Sequence, residues 1–250
     1  MELIENLSPN VKLVLPSMYE HTVRYLSDRN LHRLYSIIHP NGIIEIDINT
    51  EESNNDFNKS LSQTFSRYFN WFGEKGFLED VSITGVSSNL ELGAGSTRFS
   101  TISPILASII TELVLKSNVL DKVVDPSVGK FYKVAEYFRF MRYTSGGEHY
   151  PHYDSDYKFA NSNFETKYSL VLYHNQCDDG ELYFCNDSRD SITSDWDRQA
   201  REDEIYLKIK PDSLKLVLFP HILCHGVAPF TGNQRDIIRG DLIFLIPESK

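Results

Sequence analysis

From residue 131 onward the chain is divided into short apolar runs of strand length, each bounded by turn residues, and this texture limits the fold more than any other feature. The runs are Phe131–Tyr143, Tyr150–Tyr153, Lys167–His174, Glu181–Cys185, Glu204–Lys210, Leu214–Phe219, a stretch around His225, and Arg235–Ile246. Strands this short, arriving in succession with turns between them, pair mostly with one another and bury their inward faces by closing into a barrel or a double sheet. The fold class implied is mainly β with helical support, a double-stranded β-helix of the jelly-roll, cupin-like kind.

The first 130 residues read as that support. Ser17–Ile38 has helical spacing, and His39-Pro40-Asn41-Gly42 is expected to stop it. Ile43, Ile44, Ile46 and Ile48 alternate with Glu45, Asp47 and Asn49 as a strand does. Phe57, Leu61, Phe65, Tyr68 and Phe72 recur at helical steps between Asn55 and Gly76, and an aromatic stripe of that kind is core packing. A third helix is expected over Ser103–Ser117, with Pro104 in its first turn and Ile105, Leu106, Ile109, Ile110 and Leu113 inward. These amino-terminal helices are expected to pack on the larger sheet. Gly93-Ala94-Gly95-Ser96 lacks the Gly-Lys-Ser/Thr of a phosphate loop and reads as a turn. With no internal repeat and no low-complexity linker, residues 1–250 read as one domain, 1–130 supporting a catalytic core at 131–250. The polar stretch from Asn186 to Glu204 is a solvated loop or a lid.

Charge and cysteine content narrow the partners. Asp and Glu number 35 against 25 Lys and Arg, a formal net charge of −10, which disfavours a nucleic-acid backbone as the main partner. Cys177, Cys185 and Cys224 form no even framework and no CxxC pair, so reduced thiols in a reducing compartment are expected. The start Met-Glu-Leu-Ile-Glu-Asn has no basic, then apolar, signal character, and no apolar run approaches bilayer length. A cytoplasmic protein without a membrane partner is the expectation.

The chemistry is carried by His152-Tyr153-Asp154 and a distant His225. Residues two apart on a strand point the same way, so His152 and Asp154 can reach one ion, and His225 completes the set from a strand that folds back beside them. Two imidazoles and one carboxylate occupy one face of Fe(II) and leave the other open. Arg235, ten residues beyond His225, supplies a fixed cation suited to a carboxylate.

At these residues the chain resembles the prolyl 4-hydroxylase-type Fe(II)/2-oxoglutarate-dependent dioxygenases. The motifs are Tyr143-Thr-Ser-Gly-Gly-Glu-His-Tyr-Pro-His152-Tyr-Asp154, then Tyr168-Ser-Leu-Val-Leu-Tyr173 with Asp179-Gly-Glu-Leu-Tyr-Phe184, and finally Leu216-Val-Leu-Phe-Pro-His221-Ile-Leu-Cys-His225-Gly-Val-Ala-Pro229 with Gly232-Asn-Gln-Arg235. The resemblance covers roughly the last 120 residues.

It implies an oxidoreductase that binds iron through His152, Asp154 and His225 and uses 2-oxoglutarate and O2, with ascorbate as an optional reductant. It places Arg235, Tyr143 and Ser169 on the 2-oxoglutarate carboxylate. The implied reaction is hydroxylation of an unactivated C–H of an amino acid, prolyl in a peptide or free, with release of succinate and CO2. Two other readings stay open: oxidative demethylation of nucleic acid by the same chemistry, and a non-enzymatic metal-dependent binding module.

Alternation adds Arg139, in phase with Tyr143, and Arg239, in phase with Arg235. A buried guanidinium needs an acid, either on the substrate or in a structural pair with residues such as Asp241 or Glu181, the latter favoured for Arg239. His221 reads as lying behind the ligands or in the core. His149 lacks a carboxylate two residues on, and Cys224 points away from its ligand neighbour. Glu148, Asp156 and Trp196 either line the entrance or lie on the surface.

Overall fold

Side chains along the last long strand, Arg235–Leu245, alternate between two environments, and this shows how the molecule is layered. Ile238, Leu242 and Phe244 enter a core shared with a helix, whereas Ile237 belongs to a second core, with Arg235 and Arg239 in phase with it.

The computed structural model describes residues 34–48, 79–80, 96–189 and 196–247. In chain order these give β1 (Tyr35–Ile38), β2 (Ile44–Asp47), β3 (Glu79–Asp80), β4 (Ser96–Ile102), α1 (Pro104–Ser117), α2 (Leu120–Val123), β5 (Lys130–Val134), β6 (Tyr137–Tyr143), β7 (Gly147–His152), β8 (Phe164–Tyr173), β9 (Leu182–Cys185), β10 (Ile205–Ile209), β11 (Lys215–Pro220), β12 (His225–Phe230) and β13 (Arg235–Leu245). The larger sheet runs β1-β2-β11-β8-β13-β6-β4-β3, with β5 also on β13, and the smaller runs β10-β9-β12-β7. Met141, Tyr143, Val171, Val217, Phe219 and Ile237 of the larger sheet meet Leu182 and Phe184 of the smaller in one core. Two facing antiparallel sheets of this kind are the expected jelly roll.

The other face of the larger sheet is covered by α1. Ser103 caps the helix by accepting from Leu106 N at 3.3 Å, Pro104 follows in the first turn, and Asn118 ends it in the left-handed region. Leu106, Ala107, Ile109, Ile110, Leu113 and Val114 are buried in the same cluster as Phe138, Phe140, Leu170, Leu172, Ile238 and Leu242. Sequence and structure agree on this helix to within a residue.

The amino-terminal region does more than support. β2 with β1, and β4 with β3, extend the larger sheet on its two sides. The helix expected to run to Ile38 is not helical at its end: Tyr35–Ile38 forms β1, in a hairpin with β2. Asn41 and Gly42 take φ of 63° and 75°, and His39 N donates to Ile43 O at 2.8 Å to close the turn. An Asn-Gly pair between apolar runs is a hairpin signal, and here it overrode helical spacing. The rest of that helix and the Asn55–Gly76 helix lie outside the described residues, as does most of the glycine-rich turn. The run Phe131–Tyr143 is split at Ala135-Glu136 into β5 and β6.

In the stretch after β9, Trp196 and Glu204 are docked against the smaller sheet and its neighbours. Trp196 is 2% exposed, against Tyr183, Cys185 and Cys224, so it neither lines an entrance nor lies on the surface. Arg189 and Arg198 stand over its ring at 5.2 and 4.8 Å from the centroid. Buried Glu204 accepts from Arg198 Nη2 at 2.7 Å and Ser188 Oγ at 2.6 Å, with Arg201 Nη2 at 2.9 Å. Cys185 and Cys224 are free thiols with their sulfurs 3.6 Å apart. No helix among the described residues is long and apolar enough to cross a membrane.

Candidate active site

β7 and β12 pair so that His152 and His225 lie directly opposite each other, their ring centroids 4.3 Å apart. Beyond the end of β7 the chain brings Asp154 between them: its Oδ1 is 3.9 Å from His152 Nε2 and its Oδ2 is 3.6 Å from His225 Nε2. Ligand atoms of all three lie within 4.8 Å of one another. Each Nδ1 is 2.9 Å from the carbonyl two residues earlier, Tyr150 O and Leu223 O, which fixes the tautomer whose Nε2 lone pair faces the cluster. Adjacent ligand atoms on an ion with ~2.1 Å bonds are about 3 Å apart, so side-chain adjustments under ~1 Å close this set on one metal. Two neutral nitrogens and one carboxylate oxygen suit Fe(II) with open positions.

Burial alone would raise the Asp154 carboxyl, but Arg239, the two imidazoles and the Ser169 hydroxyl outweigh it and hold it far below the ordinary carboxylate range. Arg239 Nη2 donates to Oδ1 and Ser169 Oγ to Oδ2. This corrects the expected pairing of Arg239 with Asp241 or Glu181: its hydrogen-bond partner is the candidate metal ligand itself. Ser169, expected beside the co-substrate, lies against Asp154. Burial first, and then His152, push the His225 imidazole down to about 3, so it stays neutral and free to ligate. His149 stacks on His152 at 4.1 Å and is held neutral chiefly by burial.

Four residues along β13 from Arg239, the guanidinium of Arg235 is buried, 1% exposed. It stands 4.2 Å from the ring centroid of Tyr143, its direct partner across β6 and β13, and 5.3 Å from that of Phe230. Nη1 donates to Gly180 O, Nε has no partner, and no carboxylate among the described residues pairs with it. Gly180 has φ +74°, and a Cβ there would collide with Arg235 Nη1, so the Asp179-Gly180-Glu181 turn must carry glycine to seat the guanidinium. Burial raises the Tyr143 hydroxyl and Arg235 opposes it, so the phenol stays a proton donor. A buried, unpaired cation beside a phenol donor is a seat for a carboxylate.

His221, 1% exposed, lies between Asp156 Oδ1 at 3.0 Å and Asp241 Oδ1 at 3.4 Å, and is not in the metal cluster. Glu148 accepts from Gln199 at 3.0 Å. Arg139 lies directly across from Arg239 in the β6–β13 register.

Residues 138–240, which contain His152, Asp154, His225, Tyr143 and Arg235, match the 2OG-Fe(II) oxygenase superfamily. No curated protein matches the chain. Among solved structures, a prolyl hydroxylase from Trichoplax adhaerens, in complex with a hypoxia inducible factor oxygen degradation domain peptide fragment, is 15% identical, with 92% of each chain covered and a TM-score of 0.50. OsALKBH1 is 11% identical, with 82% of this chain and 99% of that chain covered and a TM-score of 0.50. A prolyl-4-hydroxylase from Pseudomonas putida is 17% identical, with 74% and 86% covered and a TM-score of 0.46. At these identities the likeness is one of fold.

Sequence reasoning did not find that Arg239 and Ser169 together clamp Asp154. The period-two phase placed Arg239 inward correctly, but only strand pairing sets which acid it meets. Position Ser169 was legible as part of a motif, without its partner.

Proposed function

We propose that this chain is an Fe(II)- and 2-oxoglutarate-dependent hydroxylase acting on an unactivated C–H of an amino acid, prolyl in a peptide or free. The observation that carries the reading is Arg235, a buried guanidinium with no acid partner among the described residues, in phase on β13 with Arg239, which holds Asp154. A metal-binding barrel without a dicarboxylate co-substrate has no need of such a cation, and its burial would be a net cost.

In this reading His152, Asp154 and His225 hold the iron, which when bound supplies the activation of O2. Arg235 and Tyr143 bind the far carboxylate of 2-oxoglutarate and so orient its 2-oxo acid end toward the metal. Arg239 and Ser169 fix the Asp154 carboxylate in its ionised form, and the carbonyls of Tyr150 and Leu223 keep both imidazoles in the ligating tautomer. Phe184 and Phe219, packed at 6.1 and 4.6 Å from the His225 ring, keep water from that side of the centre. The overall stoichiometry is substrate C–H, 2-oxoglutarate and O2 going to C–OH, succinate and CO2.

The test is succinate formation by the purified protein with Fe(II) and 2-oxoglutarate. Turnover that needs iron and is lost in His152→Ala supports the reading, and its absence in the wild type under all conditions overturns it. The net charge of −10 counts against nucleic acid, and a mobility-shift assay with single-stranded DNA and RNA checks that point.

A further inference from the structure

A cavity of about 650 Å³ is lined among others by Arg139, Tyr137, Tyr157, Phe159, Asp156 and Asp241, residues that neighbour the positions holding Asp154. Its position follows from the register. Ser155 and Asp156, which also line it, are the first two residues after Asp154; Asp241 is two after Arg239 and directly opposite Ser169, the two residues that hold Asp154; and Arg139 is directly opposite Arg239. The volume is that of a small-molecule site, and much of the wall is apolar or aromatic, including the edge-on pair Tyr157–Phe159 at 5.0 Å.

The charges around this cavity are paired with one exception. Lys133 meets Glu136 at 2.9 Å, Asp156 meets Lys167 at 2.6 Å and His221 at 3.0 Å, and Asp241 lies 3.4 Å from His221. Arg239 is taken by Asp154. Arg139 has no acid partner among the described residues, and its guanidinium rests only over the Tyr137 ring, 5.4 Å from the centroid. Arg139 is directly opposite Arg239 in the β6–β13 register, and because Asp154 already balances Arg239, Arg139 is the cation on this wall left for an incoming anion.

We propose that this cavity receives the substrate of the oxygenase and that Arg139 binds a carboxylate on it. The inference rests on the hydroxylase reading and narrows it. A free amino acid, or the carboxyl-terminal residue of a peptide, presents a planar carboxylate that a guanidinium takes through two parallel hydrogen bonds, and its apolar part fits the aromatic wall. A prolyl residue inside a peptide offers no such group.

The experiment measures succinate release by the iron-loaded, full-length protein with 2-oxoglutarate, against a panel in which each free L-amino acid is matched by its amide and each short peptide by its carboxyl-terminal amide. The expected result is a compound with a free carboxylate whose kcat/KM exceeds that of its amide by about tenfold or more, with the ratio falling to about one in Arg139→Gln. Stimulation by free amino acids alone, or by peptides as well, identifies the source of the carboxylate. The wild-type ratio needs no variant, so it decides the matter even if Arg139→Gln does not fold. Amides that serve as well as acids, no stimulation by any acid of the panel, or an unchanged ratio in Arg139→Gln would each overturn the inference. An absence of any iron-dependent succinate release by the wild type would instead bring down the hydroxylase reading itself.

Discussion

Arg239 Nη2 donates to Asp154 Oδ1, so the carboxylate offered to the metal is already held by a cation from β13. The pair is buried, with the Asp154 side chain 4% exposed and that of Arg239 20%. The two ligand positions therefore differ in what their loss leaves behind.

Asp154→Ala strands the Arg239 guanidinium without its acid, whereas His152→Ala removes a neutral ring. Both variants are expected to abolish iron-dependent succinate formation. In the metal-free protein Asp154→Ala should in addition lower the unfolding free energy by about 3–5 kcal/mol, as breaking a buried ion pair does. Urea denaturation in the presence of a chelator checks this. Equal stability losses in the two variants would show that the Arg239 pair contributes nothing.

Arg235→Ala should raise the KM for 2-oxoglutarate by about 30-fold or more, equivalent to about 2 kcal/mol for a lost buried charge contact. Gly180→Ala should move KM in the same direction, because the new Cβ displaces Arg235 Nη1 and the positive φ strains the turn. Titration of 2-oxoglutarate at fixed iron distinguishes this from loss of iron binding, which lowers the metal-loaded fraction and leaves KM unchanged.

His221 makes stability depend on pH in a known direction. Burial alone lowers its pKa, yet Asp241, Asp154 and Asp156 together raise it above the ordinary value of 6.5. The protonated imidazole thus stabilises the fold fully below about pH 6.5, and that contribution disappears as pH rises through the raised value. Unfolding free energies of wild type and His221→Asn at pH 5.5, 7 and 8.5 should converge as pH increases. A gap that stays constant or widens is inconsistent with a charged His221.

Trp196→Ala should destabilise the protein by about 3–5 kcal/mol, the usual cost of truncating a fully buried large aromatic residue. Denaturant melts measure it. A loss below ~1 kcal/mol, as for surface positions, would mean that the stretch around Trp196 is not docked on the smaller sheet.

Several of these features were legible in the sequence because they depend on local periodicity. Alternation with period two brings His152 and Asp154 to one cluster and puts Arg239 in phase with Arg235 on β13. Ser103 and Pro104 mark the start of α1 by capping chemistry that needs no distant partner. Tyr35–Ile38 misled because a short apolar run fits a helix and a strand alike, and Asn41-Gly42 decided between them by closing a turn. Trp196 misled because its polar neighbours Asp195 and Asp197 suggest solvent, while the Tyr183, Cys185 and Cys224 side chains that bury it come from outside its own stretch.

By itself, then, the sequence determined the strand texture, the capped helix, the identity of the candidate ligands and the phase of the arginines, all of which follow from side-chain type and local repeat. Only the tertiary structure decided that Arg239 and Ser169 converge on Asp154, that Arg235 has no acid beside it among the described residues, and that Arg139 faces Arg239 at the edge of a cavity. The physical reason is that a pairing register joins residues 85 positions apart, such as Asp154 and Arg239, and electrostatic partnership depends on ångström distances that no local pattern encodes.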